Sequence, residues 1–253
     1  MTTLSGRVAS YNPNLNKPGT HGTLEPVNLL AVETSGRTGS IALLRTGAEP
    51  VERPLGSDGR RHAQTLVSDA DQLMSEFQLQ PRDVDCVAVS IGPGSFTGLR
   101  VGVVFAKTFG WLNKCPIVAV PTFNVIAAQV TTADIGHIGV IADAQRGELF
   151  LAEFTRECDQ TSASSEVTIV SIDEVQSRLT EYSVLTGPGL ARYAGEFDGF
   201  CRLADESEWY PTAASIAMLG KKAFDTGNIA DPWKLEPFYL RRSAAEEKRD
   251  ATA

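Results

Sequence analysis

The segment at residues 91–102, with the sequence IGPGSFTGLRVG, places the strictest limits on how this chain can fold. Before it, residues 84–91 form a short run rich in β-branched side chains, which is typical of a strand covered on both faces. Its glycines permit tight or positive-φ turns, and Ser95 and Thr97 can cap a following helix. The segment therefore predicts a buried strand, a glycine-rich turn and a helix in immediate succession.

The helix predicted from about residue 97 to residue 114 is apolar around most of its circumference. Arg100 and Lys107 are its main charges. A helix without a single wet face is buried in a core or covered by another chain. Its apolar surface also exceeds what one small lobe can cover, so we expect part of it, including Val104, to form an interface.

A second helix is predicted at residues 62–77, where apolar side chains recur at spacings of three and four residues. This spacing places them on one face of the helix and leaves the opposite face exposed to solvent. We expect the two helices to form one contiguous docking surface. The apolar stripe includes Leu66, Leu73 and Met74.

Charge and cysteine content limit the class of protein. The chain of 253 residues has a net charge of −8, which opposes unaided binding to nucleic acid phosphates. The net charge does not exclude local basic patches. Its four cysteines are widely spaced and form no Cys-x-x-Cys pair, so we expect reduced thiols in a cytoplasmic protein. No run approaches the roughly 20 apolar residues of a membrane span, and no membrane partner is expected.

Two polar turns of similar design, at residues 33–39 and 143–147, each join a short strand to a return strand. An acid, Glu33 or Asp143, ends the first strand of each unit, and each turn contains glycine. Such a turn can present a carboxylate and backbone N–H groups to a phosphate or a metal–phosphate group. Two units predict a duplicated, two-lobed α/β fold with a cleft. The pattern leaves two interpretations open, paired catalytic carboxylates or turn caps.

Several catalytic motifs are absent from the sequence. The glycine-rich turn is not a Walker loop, because Gly98 is followed by leucine instead of Lys-Ser/Thr. A nucleophile elbow is absent around Ser95, where Pro93 stands in place of the first required glycine. His62 has leucine four residues later, so it does not begin a His-x-x-x-His metal pair.

Four segments together resemble the TsaB (YeaZ) family: AVETS at 31–35, IGPGSFTGLRVG at 91–102, ADAQRGE at 142–148 and EPFYLRR at 236–242. The resemblance spans residues 27 to about 242. It implies an α/β, two-lobed actin/Hsp70-like (ASKHA, ribonuclease H-like) fold with duplicated mixed sheets flanked by helices. It also implies a role in making threonylcarbamoyladenosine (t6A) at adenosine 37 of tRNA.

The resemblance further implies partners. In that family this subunit is a non-catalytic scaffold that activates a TsaD-like catalytic subunit, which carries the metal, and a TsaE-like ATPase joins them. Contact with tRNA would be indirect, no cofactor belongs firmly to this chain, and ATP or ADP would bind in complex with the partners. Without its partner, the same surface would support a homodimer. The expected partner interface comprises Leu66, Leu73, Met74, Arg100 and Val104.

One departure from the family concerns the first turn, where the family usually has Asp and this chain has Glu33. The alternative function is a stand-alone nucleotide phosphotransferase or peptidase of the same superfold. The sequence lacks the metal ligands that a peptidase of this kind would need. For a phosphotransferase, Arg37 and Arg146 occupy turns where small residues would admit phosphates. The candidate nucleotide or phosphate residues are Glu33, Thr34, Ser35 and Asp143. The predicted organisation is a flexible tail at 1–26, lobes at 27–122 and 123–242, and a frayed end at 243–253.

Overall fold

The computed structural model describes residues 27–56, 62–131, 136–157, 160–179 and 183–240. The predicted tails at 1–26 and 243–253 lie outside these residues. Within them, strands and helices alternate around two mixed sheets, as the sequence predicts. Among the helices of these ranges, none combines the length and the apolar character needed to cross a membrane.

The first sheet has five strands: β1 (Asn28–Glu33), β2 (Ser40–Arg45), β3 (Val51–Pro54), β4 (Cys86–Ser90) and β5 (Ile117–Val120). Their order is β3-β2-β1-β4-β5. The first three strands form an antiparallel meander, whereas β1, β4 and β5 run parallel. The central strands β1 and β4 are buried almost throughout, so both faces of the sheet need cover.

The α-helices of the described residues are α1 (His62–Glu76), α2 (Phe96–Asn113), α3 (Thr122–Gln129), α4 (Ile172–Arg178), α5 (Leu190–Tyr193) and α6 (Ala213–Asp225). Alternate residues of a strand point to opposite faces of its sheet. Leu30 and Val32 of β1 pack in one core with α1 and α2, whereas Leu29 and Ala31 pack in another with α6. The first sheet therefore lies between the α1/α2 pair and α6.

The second sheet contains β6 (His137–Asp143), β7 (Glu148–Glu157), β8 (Gln160–Ala163), β9 (Thr168–Ser171), β10 (Ser183–Thr186) and β11 (Arg202–Leu203). Its order is β11-β10-β6-β7-β8, and β9 also pairs with β7. One face packs against α3 and the other against α4 and α5. The β6–β7 hairpin repeats the β1–β2 hairpin, which confirms the predicted duplicated mixed sheets flanked by helices.

The end of the described chain returns to the first sheet. After α6, the backbone N–H of Ala230 donates to the carbonyl of Ile117 at 2.8 Å, and that of Phe238 donates to the carbonyl of Ile91 at 2.7 Å. Within the predicted second lobe at 123–242, α6 and the segment that follows it therefore pack on the first sheet. The reason is the apolar face of β1 and β4 opposite α1 and α2, which α6 covers.

Candidate functional site

The first turn begins with Glu33, whose side chain is fully buried at the end of β1. Its Oε1 atom accepts hydrogen bonds from the backbone N–H of Ser35, from the Ser35 hydroxyl and, at 3.2 Å, from the backbone N–H of Gly36. Glu33 therefore caps its own turn, which favours one of the two interpretations that the sequence leaves open. Its other oxygen, Oε2, has no hydrogen-bond partner among the described residues.

Burial raises the pKa of Glu33 from 4.5 to about 7, against the opposing effect of the Ser35 and Ser90 hydroxyls and of the backbone N–H groups of Ser35 and Gly36. The cause is the loss of water around a fully buried carboxylate. Near neutral pH, the group is thus divided between its protonated and ionised forms. This property belongs to an interior residue and does not require a bound ligand.

The glycine-rich turn and the start of α2 lie directly on the first turn. A Cβ atom added to Gly94 would be 2.7 Å from Ser35, and one added to Gly102 would be 2.3 Å from the hydroxyl of Thr34. Thr34 and Ser35 are consequently buried together with Glu33. The predicted nucleotide or phosphate residues Glu33, Thr34 and Ser35 thus lie behind α2, which occupies the space in front of them.

The second turn is exposed to solvent, whereas the first turn is covered by α2. Asp143 is solvent-exposed, its Oδ1 atom accepts from the backbone N–H of Gln145 at 2.7 Å, and its Oδ2 atom pairs with Nη1 of Arg192 at 3.1 Å. Asp143 and Glu33 end strands of different sheets, and they differ in both burial and partners. Among the residues described, no three His, Cys, Asp or Glu side chains cluster as a metal site.

The predicted docking residues of α1 belong to the interior. Leu66, Leu73 and Met74 are only 1–3% exposed and pack against the first sheet. The amphipathic stripe of α1, predicted as part of a partner interface, is thus used by the chain's own core. The sequence pattern identified the buried face of the helix correctly, but not what covers it.

Other side chains of the same two helices face solvent. Val104, predicted as an interface residue, is 62% exposed, and three residues that the sequence analysis missed are exposed to a similar extent: Val67, Trp111 and Leu112. Val104 and Trp111 are seven residues apart, which places them on the same face of α2. This seven-residue spacing is the feature of the sequence from which the exposed face of α2 could have been predicted. We call these four residues the helix-pair surface.

Arg100 has contacts within the chain. Its guanidinium carbon lies 3.9 Å from the ring centroid of Phe96, and its Nε–H donates to the Tyr239 hydroxyl at 3.0 Å. The rings of Phe96 and Tyr239 are themselves 4.5 Å apart. Arg100 therefore links the start of α2 to the C-terminal segment, while its side chain remains at the surface.

Comparison with known proteins agrees with this geometry. A family model described as TsaD, tRNA N6-adenosine threonylcarbamoyltransferase, matches residues 57–194. That match and the two mixed sheets flanked by helices define the chain as a protein of the TsaD-like class, with an actin-like fold.

Individual relatives narrow the assignment. The chain is 28% identical to the tRNA threonylcarbamoyladenosine biosynthesis protein TsaB of Bacillus subtilis strain 168, over 88% of this chain and 97% of that protein. It is 34% identical to the uncharacterized protein Rv3421c of Mycobacterium tuberculosis H37Rv, over 75% of this chain and 79% of that protein. The structure of YeaZ from Pseudomonas aeruginosa superposes with a TM-score of 0.70 at 21% identity, covering 85% of this chain and 100% of that chain. The chain belongs to the TsaB (YeaZ) family.

Proposed function

We propose that this protein is a subunit required for t6A biosynthesis on tRNA, in which it acts as a non-catalytic scaffold for a TsaD-like catalytic subunit. The observation that carries the proposal is the closure of the first turn by α2, which buries Glu33, Thr34 and Ser35. A chain closed in this way has no accessible carboxylate at that turn for phosphate or metal chemistry. The TsaB relatives, named as tRNA threonylcarbamoyladenosine biosynthesis proteins, support the pathway.

The helix-pair surface supports the choice of partner. Single exposed apolar residues are ordinary, but these four lie on two helices that pack together, an arrangement that would give an apolar patch of the kind that marks protein interfaces. A stable interface buries roughly 800 Å² on each partner, which two packed helices can supply. We propose that this surface contacts the TsaD-like subunit, and that a second copy of the chain occupies it when that subunit is absent.

The expected contacts with tRNA and with nucleotides follow from the net charge of the chain and from the burial of the first turn. With a net charge of −8, the chain meets tRNA only through the assembled complex, in the cytoplasm. ATP or ADP binds only when partners, including a TsaE-like ATPase, complete a site. The exposed second turn at Asp143 is the part of this chain that remains available to such a shared nucleotide site.

The proposal is tested by placing a charge on the helix-pair surface. Val104→Glu should lower the affinity for the TsaD-like subunit of the same organism at least tenfold, since a buried unpaired carboxylate opposes docking. Met218→Glu is the matched control, because Met218 is also exposed but lies on α6, across the first sheet. Isothermal calorimetry measures binding, and circular dichroism verifies that both variants fold.

Two results would oppose the proposal. A folded Val104→Glu variant that binds with wild-type affinity would place the interface elsewhere. Steady ATP turnover by the purified chain alone, abolished by Asp143→Ala, would favour the alternative of a phosphotransferase in its own right.

A further inference from the structure

A cavity of about 270 Å³ opens at the C-terminal end of α2, away from both turns. It lies between that helix, the start of β5 and the segment that follows α6. It is open to solvent and its walls are mostly apolar. Its lining includes Trp111, Lys114, Cys115, Ile117, Ile229 and Trp233.

Two indole side chains dominate this cavity. Trp111 and Trp233 are 73% and 82% exposed, and they come from elements far apart in the sequence. The chain has three tryptophans in all, and the third, Trp209, is half-buried and donates from Nε1 to the carbonyl of Ala204 at 2.8 Å. Leaving large aromatic surface in water is unfavourable, so a ligand that covers these rings gains free energy from burial and from stacking.

The floor of the cavity is held by backbone contacts. The backbone N–H of Cys115 donates to the carbonyl of Gly110 at 3.1 Å, and that of Ala230 donates to the carbonyl of Ile117 at 2.8 Å. A Cβ atom added to Gly110 would be 2.9 Å from the Ile117 side chain, so helix and strand pack closely here. The cavity is therefore formed before any ligand arrives, as small-molecule sites usually are.

One charge faces this apolar space. Lys114 is exposed, ends α2 in a left-handed conformation with φ of 56°, and makes no ion pair with the described residues. The neighbouring thiol adds no charge at neutral pH, because burial raises the pKa of Cys115 to about 11. The carboxylate of Asp85 also raises the pKa of that thiol, but Asp85 does not line the cavity. Lys114 is the one charged side chain among the lining residues, and it favours an anion over a neutral or cationic ligand there.

We propose that this cavity binds a planar aromatic molecule that carries a negative charge, with its ring against Trp111 and Trp233 and its anionic group near Lys114. The volume is near the lower end of small-molecule sites, roughly 300–1,000 Å³, which fits one ring system with a short acidic substituent. Aromatic carboxylates and nucleoside monophosphates share this chemistry. The cavity shares Trp111 with the helix-pair surface, so a bound ligand and a docked subunit would both contact that side chain, whereas Lys114 and Trp233 lie outside that surface.

The test uses matched ligands on the full chain alone. Calorimetry compares indole-3-acetate with the neutral indole-3-acetamide, and AMP with adenosine. At least tenfold tighter binding of the anion in either pair supports the proposal, and the pair that shows it identifies the ligand source. Equal binding within both pairs, or no saturable binding at millimolar concentration, overturns it.

Position is tested by indole N–H signals in a nitrogen-15 NMR spectrum, and by variants. The preferred anion should shift the signals of Trp111 and Trp233 and leave that of Trp209 unchanged.

Trp233→Ala, at an exposed side chain, should weaken binding at least tenfold, whereas Lys114→Gln should remove the preference for the anion. Lys222→Gln is the control, since it removes one exposed positive charge outside the cavity. An anion preference that survives Lys114→Gln would overturn the assignment.

Discussion

Gly98 lies so close to the first turn that a Cβ atom added to it would be 1.9 Å from the carbonyl oxygen of Thr34. The neighbouring atoms are backbone, which cannot rotate away as a flexible side chain can. This contact, together with the one between Gly102 and Thr34, sets how closely α2 lies on the hairpin. The glycines of the central segment therefore act in the packing of α2 as well as in the turn before it.

Gly98→Ala should destabilise the protein although alanine favours a helix. The gain in helix propensity is about 1 kcal/mol, whereas overpacking against rigid backbone costs about 1–3 kcal/mol and displaces α2. Urea unfolding should show a lower midpoint. Gly195→Ala is the control, because a Cβ atom there meets no atom within 4 Å. Equal midpoints for the wild type and Gly98→Ala would mean that the contact relaxes without cost.

The buried carboxyl of Glu33 should make stability depend on pH. Its pKa is about 7 in the folded protein and 4.5 when unperturbed, so between these values the folded state holds a proton that the unfolded state has lost. The free energy of unfolding should fall by about 3 kcal/mol as pH rises from 4.5 to 7, and stay level with respect to this group outside that window.

Glu33→Gln removes this titration while keeping an oxygen that can accept from Ser35 and Gly36. The stability of the variant relative to the wild type should therefore rise by about 3 kcal/mol between pH 4.5 and pH 8. Denaturant unfolding at several pH values measures the difference. Parallel curves for the two proteins would show that Glu33 ionises normally in the folded state.

Truncating a side chain on the buried face of α1 should affect stability, whereas truncating one on the exposed face should affect partner binding. Leu73→Ala should cost about 2–5 kcal/mol of stability, because Leu73 is packed in the core, whereas Val67→Ala should change stability by less than about 0.5 kcal/mol. Only Val67→Ala should weaken partner binding while leaving the fold intact. Thermal unfolding and calorimetry separate the two effects, and a stable Leu73→Ala protein would contradict the assigned packing.

Local patterns in the sequence predicted local structure well. The strand, turn and helix around residues 91–102 form as expected. Ser171 caps α4 in a reciprocal arrangement with Glu174, and the Ser-x-x-Glu spacing of that cap is equally local. These features depend on residues close together in the chain, whose preferences are visible in the sequence.

Features that depend on docking between distant segments were missed. The stripe of Gly98, Gly102, Ala106 and Gly110 recurs every four residues, but only the position of β1 shows that its first members face Thr34. Whether Glu33 is a ligand or a cap likewise depends on where α2 lies. The same limit applied to the C-terminal segment, which has no local pattern that predicts pairing with Ile91 and Ile117.

The return of α6 to the first sheet has a consequence during synthesis. The sheet is complete in its strands at residue 120, but its second cover begins at residue 213. At roughly 5–20 residues per second, a ribosome needs on the order of 10 s to make the intervening chain. Throughout that interval the nascent first lobe displays a bare apolar face that includes Leu29, Ala31 and Val118. A product cut short before α6 keeps that face, so chaperones and proteases can distinguish an unfinished chain from a finished one.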